Sequence, residues 1–427
     1  MKTITTVGER IASLRKEKGL TGEKFAELLN VSPQAVSKWE TNKNLPETAL
    51  LPAISKCLGV SVDSILTPPH MPLTVDSQMM RDIVVLDGEG FNAGPSIAKS
   101  NSKYYIAFRH APNEHDPYFI NNTSELRLMT SADGIVWSKP KTLYKKTNCD
   151  ILGTCVHALS DESILFTFYV YRKEPAYKKT MLEKVLNPFV HEEPFDDRDA
   201  VSYLEGQYAM ISNDGGESFS PPSLIEKNCV LRGRVVQLPD GTILAPLCRY
   251  GNDPAHDGAA VLYASKDGGY SWEPYSSVCG PIENSSPEEP GLFMTLSKRL
   301  FCFIRNNNYM YYCISKDFGQ TWGGLINSKI PGNVPFNALQ LPDGRVMLYY
   351  GRRDEKPYSV RSVILDSELE NLTSEREIII KNGCDRGEIA YNWAEILSNN
   401  ETLIVYYFQD DDARDGCGYI AGTVMKI

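Results

Sequence analysis

Five apolar runs in this 427-residue chain end in arginine. They close at Arg109, Arg172, Arg249, Arg305 and Arg352, with Arg353 beside the last, and a sixth run closes at Asp410. A second set of polar residues stands just ahead of the preceding strand-like segments: Asn92, His157, Arg232 with Arg234, Glu289, Asn337, and Tyr391 with Asn392. Guanidiniums brought together repel one another unless an anion or carboxylates sit among them, and arginine holds a carboxylate in bidentate geometry. If the fold gathers these residues, the implied chemistry is a pocket for an anionic ligand, and a carboxylated sugar fits. His115, His157 and His256 lack metal-ligand spacing, so no metal and no cofactor are expected.

Convergence requires a repeating fold, and two repeats are present. One is a strand, a polar turn and an apolar strand, beginning at Ile97, Ala158, Val236, Met294, Leu339 and Glu395. The other reads Ser-x-Asp, Gly, then an aromatic, beginning at Ser131, Ser212, Ser265 and Ser315, with a degenerate echo from Leu365. The two series alternate. Two hairpins per unit make a four-stranded blade, and six units predict an all-β six-bladed β-propeller, with Arg81–Asp87 closing the ring against the last blade. If both hairpin turns of a blade lie on one face, the arginines and their partners share the other.

The Ser-x-Asp turns resemble the Asp-boxes, or BNR repeats, of the sialidase superfamily, where they are scaffold. Asp bonds turn amides and Gly permits positive φ. "EEPGLFMTLSKRLFCFIRN" resembles the family segment that carries a catalytic Glu and an arginine of the carboxylate-binding triad, here Glu289 and Arg305. "AYNWAEILSNNETLIVYY" resembles the segment with the nucleophilic tyrosine, here Tyr391. The third triad arginine maps to Arg361 by order, with Arg352 second, and the acid/base residue to Asp116, with Glu114 in reserve. The resemblance implies a retaining glycoside hydrolase of sialidase type, with Arg305, Arg361 and Arg352 as substrate-binding candidates, and position in the repeat adds Arg109, Arg249, Arg232 and Arg234. One departure bears on the substrate. The family begins its first blade with an arginine two residues before a proline, and "FNAGPSI" has Ala93 there. Arg109, Arg232 or Arg234 would have to substitute, and a uronic acid or another acidic sugar becomes plausible, as does binding without turnover. "HEEPFDDRD" reads equally as a lid or a solvated loop.

Ahead of the repeats, apolar spacing turns helical. Thr21 can cap "GEKFAELLN", and Ser32 can cap a helix with Pro33 first. Val36 and Trp39 share an inward face; Gln34, Ser37, Lys38 and Thr41 share another. Two further helices are expected, "ETALLPAISKCLG" and "VDSIL". "GEKFAELLNVSPQAVSKWE" resembles the Cro/CI-type (XRE) helix-turn-helix family, which implies binding of double-stranded DNA through residues 1–66, with Gln34, Ser37, Lys38, Thr21 and Ser32 at the interface. A recognition helix in the major groove can set Gln34 on adenine and Lys38 on guanine or phosphate. Gly22 stands where the family often has Gln.

The net charge is −10, yet residues 1–70 carry nine Lys/Arg against seven Asp/Glu, leaving −12 for the rest. Phosphate contact therefore belongs to the front piece. No apolar run reaches membrane length, "MKTITTVGER" lacks a signal-peptide core, and ten cysteines show no CxxC pair. A cytoplasmic protein without membrane association follows as an expectation. The expected organisation is multidomain: an all-α helix-turn-helix domain (1–66), a Pro-containing linker (67–80) and the propeller (81–427). Three functions are compatible with it. The first is a sugar-responsive regulator, expected to be a homodimer because such operators are two-fold, whose propeller binds an acidic sugar with or without hydrolysing it. The second is an intracellular exo-glycoside hydrolase in which the helix-turn-helix is accessory. The third is a protein-binding platform.

Overall fold

Residues 6–60, 62, 65, 80–88, 90–112, 124–175, 177, 190–192, 200–249, 259–280, 282, 287–306, 309–354, 356–384, 389–408 and 418–426 are described in the computed structural model. The chain divides into two units, Met1–Asp76 and Ser77–Ile427. Glu114, Asp116, Asp410, His115, His256, the "EPFDDRD" part of the expected lid and all of the expected linker except Met80 lie outside the described residues.

In the first unit, Thr6 and Glu9 form a capping box at the start of α1 (Val7–Glu17): the Glu9 amide donates to Thr6 Oγ1 at 3.3 Å and the Thr6 amide to Glu9 Oε2 at 3.2 Å. Thr21 and Ser32 cap α2 (Gly22–Leu28) and α3 (Pro33–Glu40), accepting from the amides of Lys24 at 3.1 Å and Ala35 at 3.2 Å. The stretch expected as one helix from Glu47 begins instead with a 3-10 turn, Thr48–Leu50. It continues as α4 (Leu51–Leu58), with Pro52 in the first turn, where its missing N–H costs no helical bond. Ile11, Phe25, Val36, Trp39 and Ile54 fill the core. Helices α1 and α3 approach closely enough that a Cβ on Gly8 would lie 1.9 Å from the Trp39 carbonyl oxygen. Arg15 grips the Glu40 carboxylate from two nitrogens, at 2.6 and 2.8 Å, tying α1 to α3.

The second unit is a six-bladed β-propeller of antiparallel blades, four-stranded except that Val190–Glu192 adds a short strand to the second blade and the inner strand of the third is split in two. Inner strands are Phe91–Ser100, Cys149–Ala158, Cys229–Val230 continued by Val236–Gln237, Glu288–Met294, Asn337–Gln340 and Ala390–Ile396. As expected, the ring closes within the sixth blade. Met80–Leu86 pairs antiparallel with Tyr419–Met425, Arg81 opposite Val424, so the first strand of the unit completes the last blade.

Each Ser-x-Asp turn joins the third and fourth strands of a blade. Its serine hydroxyl accepts from the amide of Gly134, Gly216, Gly269 or Gly319, at 2.8, 2.9, 2.8 and 2.8 Å. Its carboxylate caps the following amides, as Asp267 does for Tyr270 at 3.1 Å and Ser271 at 2.9 Å. These bonds hold Asp214, Asp267 and Asp317 down at about 2. In the fifth blade Asp366 does the same for Glu368 and Glu370, at 3.0 and 3.1 Å, although the surrounding motif has decayed. All of this bonding is internal to the turns, as scaffold requires.

The inner strands share a second feature at the opposite end. Register breaks between Ala93 and Ser96, Leu152 and Cys155, Glu288 and Gly291, and Ala390 and Trp393. In the third blade the inner strand is interrupted outright between Val230 and Val236. Bulges re-aim side chains, and here they do so at one level in five blades.

Candidate functional site

At that level lies a cavity of about 510 Å³. Arg109, Arg232, Arg305 and Arg353 line it together with Phe91, Ala93, Gly94, Leu152, Gly153, Thr154, Asn333, Tyr358, Tyr391 and Tyr407. Two bulge residues that meet beside it, Glu289 and Tyr391, have φ of 49° and 43°, a left-handed conformation that costs about 1–3 kcal/mol per non-Gly residue. The strained backbone thus falls where the side chains of Glu289 and Tyr391 are placed face to face.

The Tyr391 hydroxyl donates to Glu289 Oε1 at 2.8 Å, and Arg305 Nη1 donates to Glu289 Oε2 at 2.8 Å. Arg232 Nε lies 3.8 Å from Glu289 Oε1. Burial opposes the charge on Glu289, but the guanidiniums of Arg305 and Arg232 prevail and hold its carboxyl below the ordinary range. Burial, reinforced by the negative charge of Glu289, raises the Tyr391 phenol. The resting pair is thus a neutral phenol bonded to a carboxylate, with a proton positioned to pass between them.

The arginines differ in their surroundings. Arg305 bridges two carboxylates, reaching Glu288 Oε2 at 3.3 Å as well as Glu289. Arg109 is buried against Asp150, with Nε 3.2 Å from Oδ1 and Nη2 3.1 Å from Oδ2, and the Ser124 hydroxyl donates to the same carboxylate. Arg353 lies 5.4 Å from the Tyr391 ring centre and donates to the Ile389 carbonyl and, at 2.8 Å, to the Tyr407 hydroxyl. Arg232 lies over the Tyr391 ring, 4.6 Å from its centre. Part of the guanidinium repulsion expected from the sequence is therefore relieved by the protein's own carboxylates.

Of the arginines mapped from the sequence, Arg305, Arg232 and Arg109 reach the cavity; Arg361, Arg352, Arg249 and Arg234 are not among its lining residues. Arg361 sits mid-strand in the third strand of its blade, paired with Tyr350 and Ile379, and contacts Ser359 and Glu377. Arg352 turns to Asp354 at 2.8 Å and Glu377 at 3.5 Å. Its neighbour Arg353 faces the cavity because successive side chains at a strand end point to opposite sides. That alternation was the available signal, but an adjacent Arg-Arg pair does not show which member faces in. Arg249 bonds Tyr263, and Arg234 crosses to the Tyr349 hydroxyl at 2.9 Å and the Ala394 carbonyl at 2.5 Å, stacked on Trp393. Tyr169, Tyr358 and Tyr407 carry no motif and escaped sequence reading.

In the first unit, Gln34, Ser37 and Lys38 are exposed on α3, as is Thr41 at its C-cap, while Val36 and Trp39 are buried. The Thr21 and Ser32 hydroxyls are already engaged as helix caps. A Cβ added at Gly22 would meet nothing within 4 Å, so that position has room for a longer side chain.

Comparison with known proteins agrees with this division. Residues 11–65 match the helix-turn-helix family and residues 189–391 the BNR repeat-like domain. The front unit is similar to the HTH-type transcriptional activator BcrR of Enterococcus faecalis (44% identical over 59 residues, 14% of this chain), although the chain spans only 29% of BcrR. It is also similar to the uncharacterized HTH-type transcriptional regulator YazB of Bacillus subtilis, at 36% identity over 63 residues, 15% of this chain and 90% of YazB. The propeller matches a Dyadobacter fermentans protein of unknown function, with a TM-score of 0.70 and 26% identity over 82% of this chain and 99% of that one. It shares its fold with the NanB sialidase of Streptococcus pneumoniae, with a TM-score of 0.58 and 13% identity over 81% and 70% of the two chains. The chain belongs to the helix-turn-helix regulators through its first unit and carries as its second a propeller that matches the BNR repeat-like domain and shares the sialidase fold. Among the described residues no helix is long and apolar enough to cross a membrane.

Proposed function

We propose that the chain is a DNA-binding regulator whose propeller recognises a carboxylated sugar in the Tyr391 cavity, where Tyr391 and Glu289 supply a nucleophile and its proton acceptor for retaining hydrolysis. One observation carries this: a phenol, the carboxylate that can take its proton, and a set of guanidiniums meet at a strained point of a single cavity. Arg305, Arg353 and Arg232 bind the ligand's carboxylate, while Arg109, held by Asp150, shapes the wall. A neutral nucleophile avoids repulsion by an anionic substrate. Tyr391 Oη bonds to the anomeric carbon as its proton passes to Glu289. The glycosidic C–O bond breaks, and the departing oxygen takes a proton from an acid, for which Asp116 is the candidate. Water then attacks the anomeric carbon and gives a proton back to that same acid, while the bond to Tyr391 Oη breaks and the phenol recovers its proton from Glu289.

Through residues 1–66, α3 enters the major groove with Gln34 on adenine, Lys38 on guanine or phosphate and Ser37 beside them. The cap hydroxyls of Thr21 and Ser32 still have a proton to donate to phosphate. The operator-bound form is a homodimer, and the protein is cytoplasmic. The retained Tyr391–Glu289 pair also favours a second reading, an intracellular hydrolase with an accessory helix-turn-helix. Fluorogenic sialosides and glucuronides, with Tyr391→Phe as control, decide on turnover, and no release from any acidic glycoside would remove hydrolysis. Footprinting on the protein's own promoter with and without the acidic sugars tests regulation. Unchanged DNA affinity in Gln34→Ala/Lys38→Ala would overturn the recognition-helix assignment.

A further inference from the structure

Arg232 is held in an unusual way. Its Nε donates to the Tyr169 hydroxyl at 3.0 Å, and its Nη2 donates to the same oxygen. Its guanidinium carbon lies 5.1 Å from the centre of the Tyr169 ring and 4.6 Å from that of Tyr391. The cation is thus held between two tyrosines, one from the second blade and one from the sixth. Room for this comes from a small residue at the second-blade bulge: a Cβ on Gly153 (φ +59°) would lie 2.3 Å from the Tyr169 ring. Glycine at 153 therefore lets Tyr169 lie flat against the second-blade bulge, and Tyr169 then reaches the third-blade arginine.

The position matters electrostatically. Arg232 is 3.8 Å from Glu289 Oε1 and also over the Tyr391 ring. Negative charge that moves between Glu289 and Tyr391 stays beside the same cation. An arginine free to swing would instead fold onto Glu289, since a direct ion pair is the stronger contact in a partly buried site. The two bonds to Tyr169 hold it back.

We propose that Tyr169 is a positioning residue, fixing Arg232 so that its guanidinium faces the ligand's carboxylate beside Tyr391, and so sets the site's preference for an acid over a neutral sugar. The arginines that read the anion then come from three successive blades, as Arg232, Arg305 and Arg353. This rests on the acidic-sugar reading of the cavity.

The test is Tyr169→Phe in the full chain. The substitution keeps the ring and removes only the oxygen. Affinities for N-acetylneuraminic acid and glucuronic acid are compared with those for their methyl esters by calorimetry. Loss of a bond to a charged group predicts about tenfold weaker binding of the acids, with the esters unchanged. In an Arg232→Lys background Tyr169→Phe should add nothing further. Equal weakening of acid and ester, or no change in either, overturns the positioning role. A wild-type protein that does not distinguish either acid from its ester refutes the acidic-sugar reading itself, and the inference falls with it. That outcome is separable because it appears before any substitution is made.

Discussion

Replacing Glu289 with Gln should separate binding from chemistry. The carboxylate accepts from Tyr391 and Arg305 at 2.8 Å each and has Arg232 at 3.8 Å. A ligand carboxylate held on the far side of a guanidinium would be about 6 Å from Glu289, which at an effective dielectric of about 20 is a repulsion of roughly 3 kcal/mol. Partial exposure of Arg305 reduces this, so removing the charge should tighten acid binding by about tenfold, roughly 1.4 kcal/mol. Any turnover should fall by about 10²–10⁴-fold, because the phenol loses its proton acceptor. The ligand-free protein should be less stable by about 3–5 kcal/mol, since Arg232 and Arg305 lose a buried counter-charge. Saturating acid should then raise the melting temperature of the variant more than that of the wild type. Calorimetry with N-acetylneuraminic and glucuronic acids reads the affinity, scanning fluorimetry the stability and the ligand-induced shift, and fluorogenic acidic glycosides the turnover. Weaker acid binding in Glu289→Gln, or turnover within tenfold of wild type, would refute the assignment of Glu289 as proton acceptor inside an anion site.

Asp150→Ala should destabilise the propeller by about 3–5 kcal/mol, because Arg109 would lose its buried partner, measurable by denaturant unfolding. Burial pushes the imidazoles of His110 and His157 down to about 4 and about 3. Between roughly pH 6.5 and 4 the unfolded chain binds more protons, so the stability these neutral histidines contribute is present above about pH 6.5 and declines on acidification. Unfolding free energies at pH 7, 6 and 5 that show no decline would contradict this. Gly22→Gln should strengthen DNA binding, since the position is open and gains a side chain able to reach the backbone, and should stabilise α2 by up to about 1 kcal/mol. Gel-shift titration against Gly22→Ala isolates the contact from the helix effect.

Much of this architecture was legible in the chain because it is written in local terms. The caps Thr6, Thr21 and Ser32, the Asp turns and the hairpin alternation all act within a few residues of themselves. Six in-phase copies fixed the blade count, and the register then placed Glu289, Arg305 and Tyr391 at one end without contact information. The pairing partners of the arginines could not be read that way. Asp150 lies 41 residues from Arg109, and Tyr169 lies 63 from Arg232. The choice of Arg353 over Arg352 and Arg361 depended on which side of a strand end faces the axis. Local chemistry determined the elements and their order. Only the closed ring decided which charges neutralise one another and which face the cavity, because those distances exist only once blades far apart in sequence are packed around one axis.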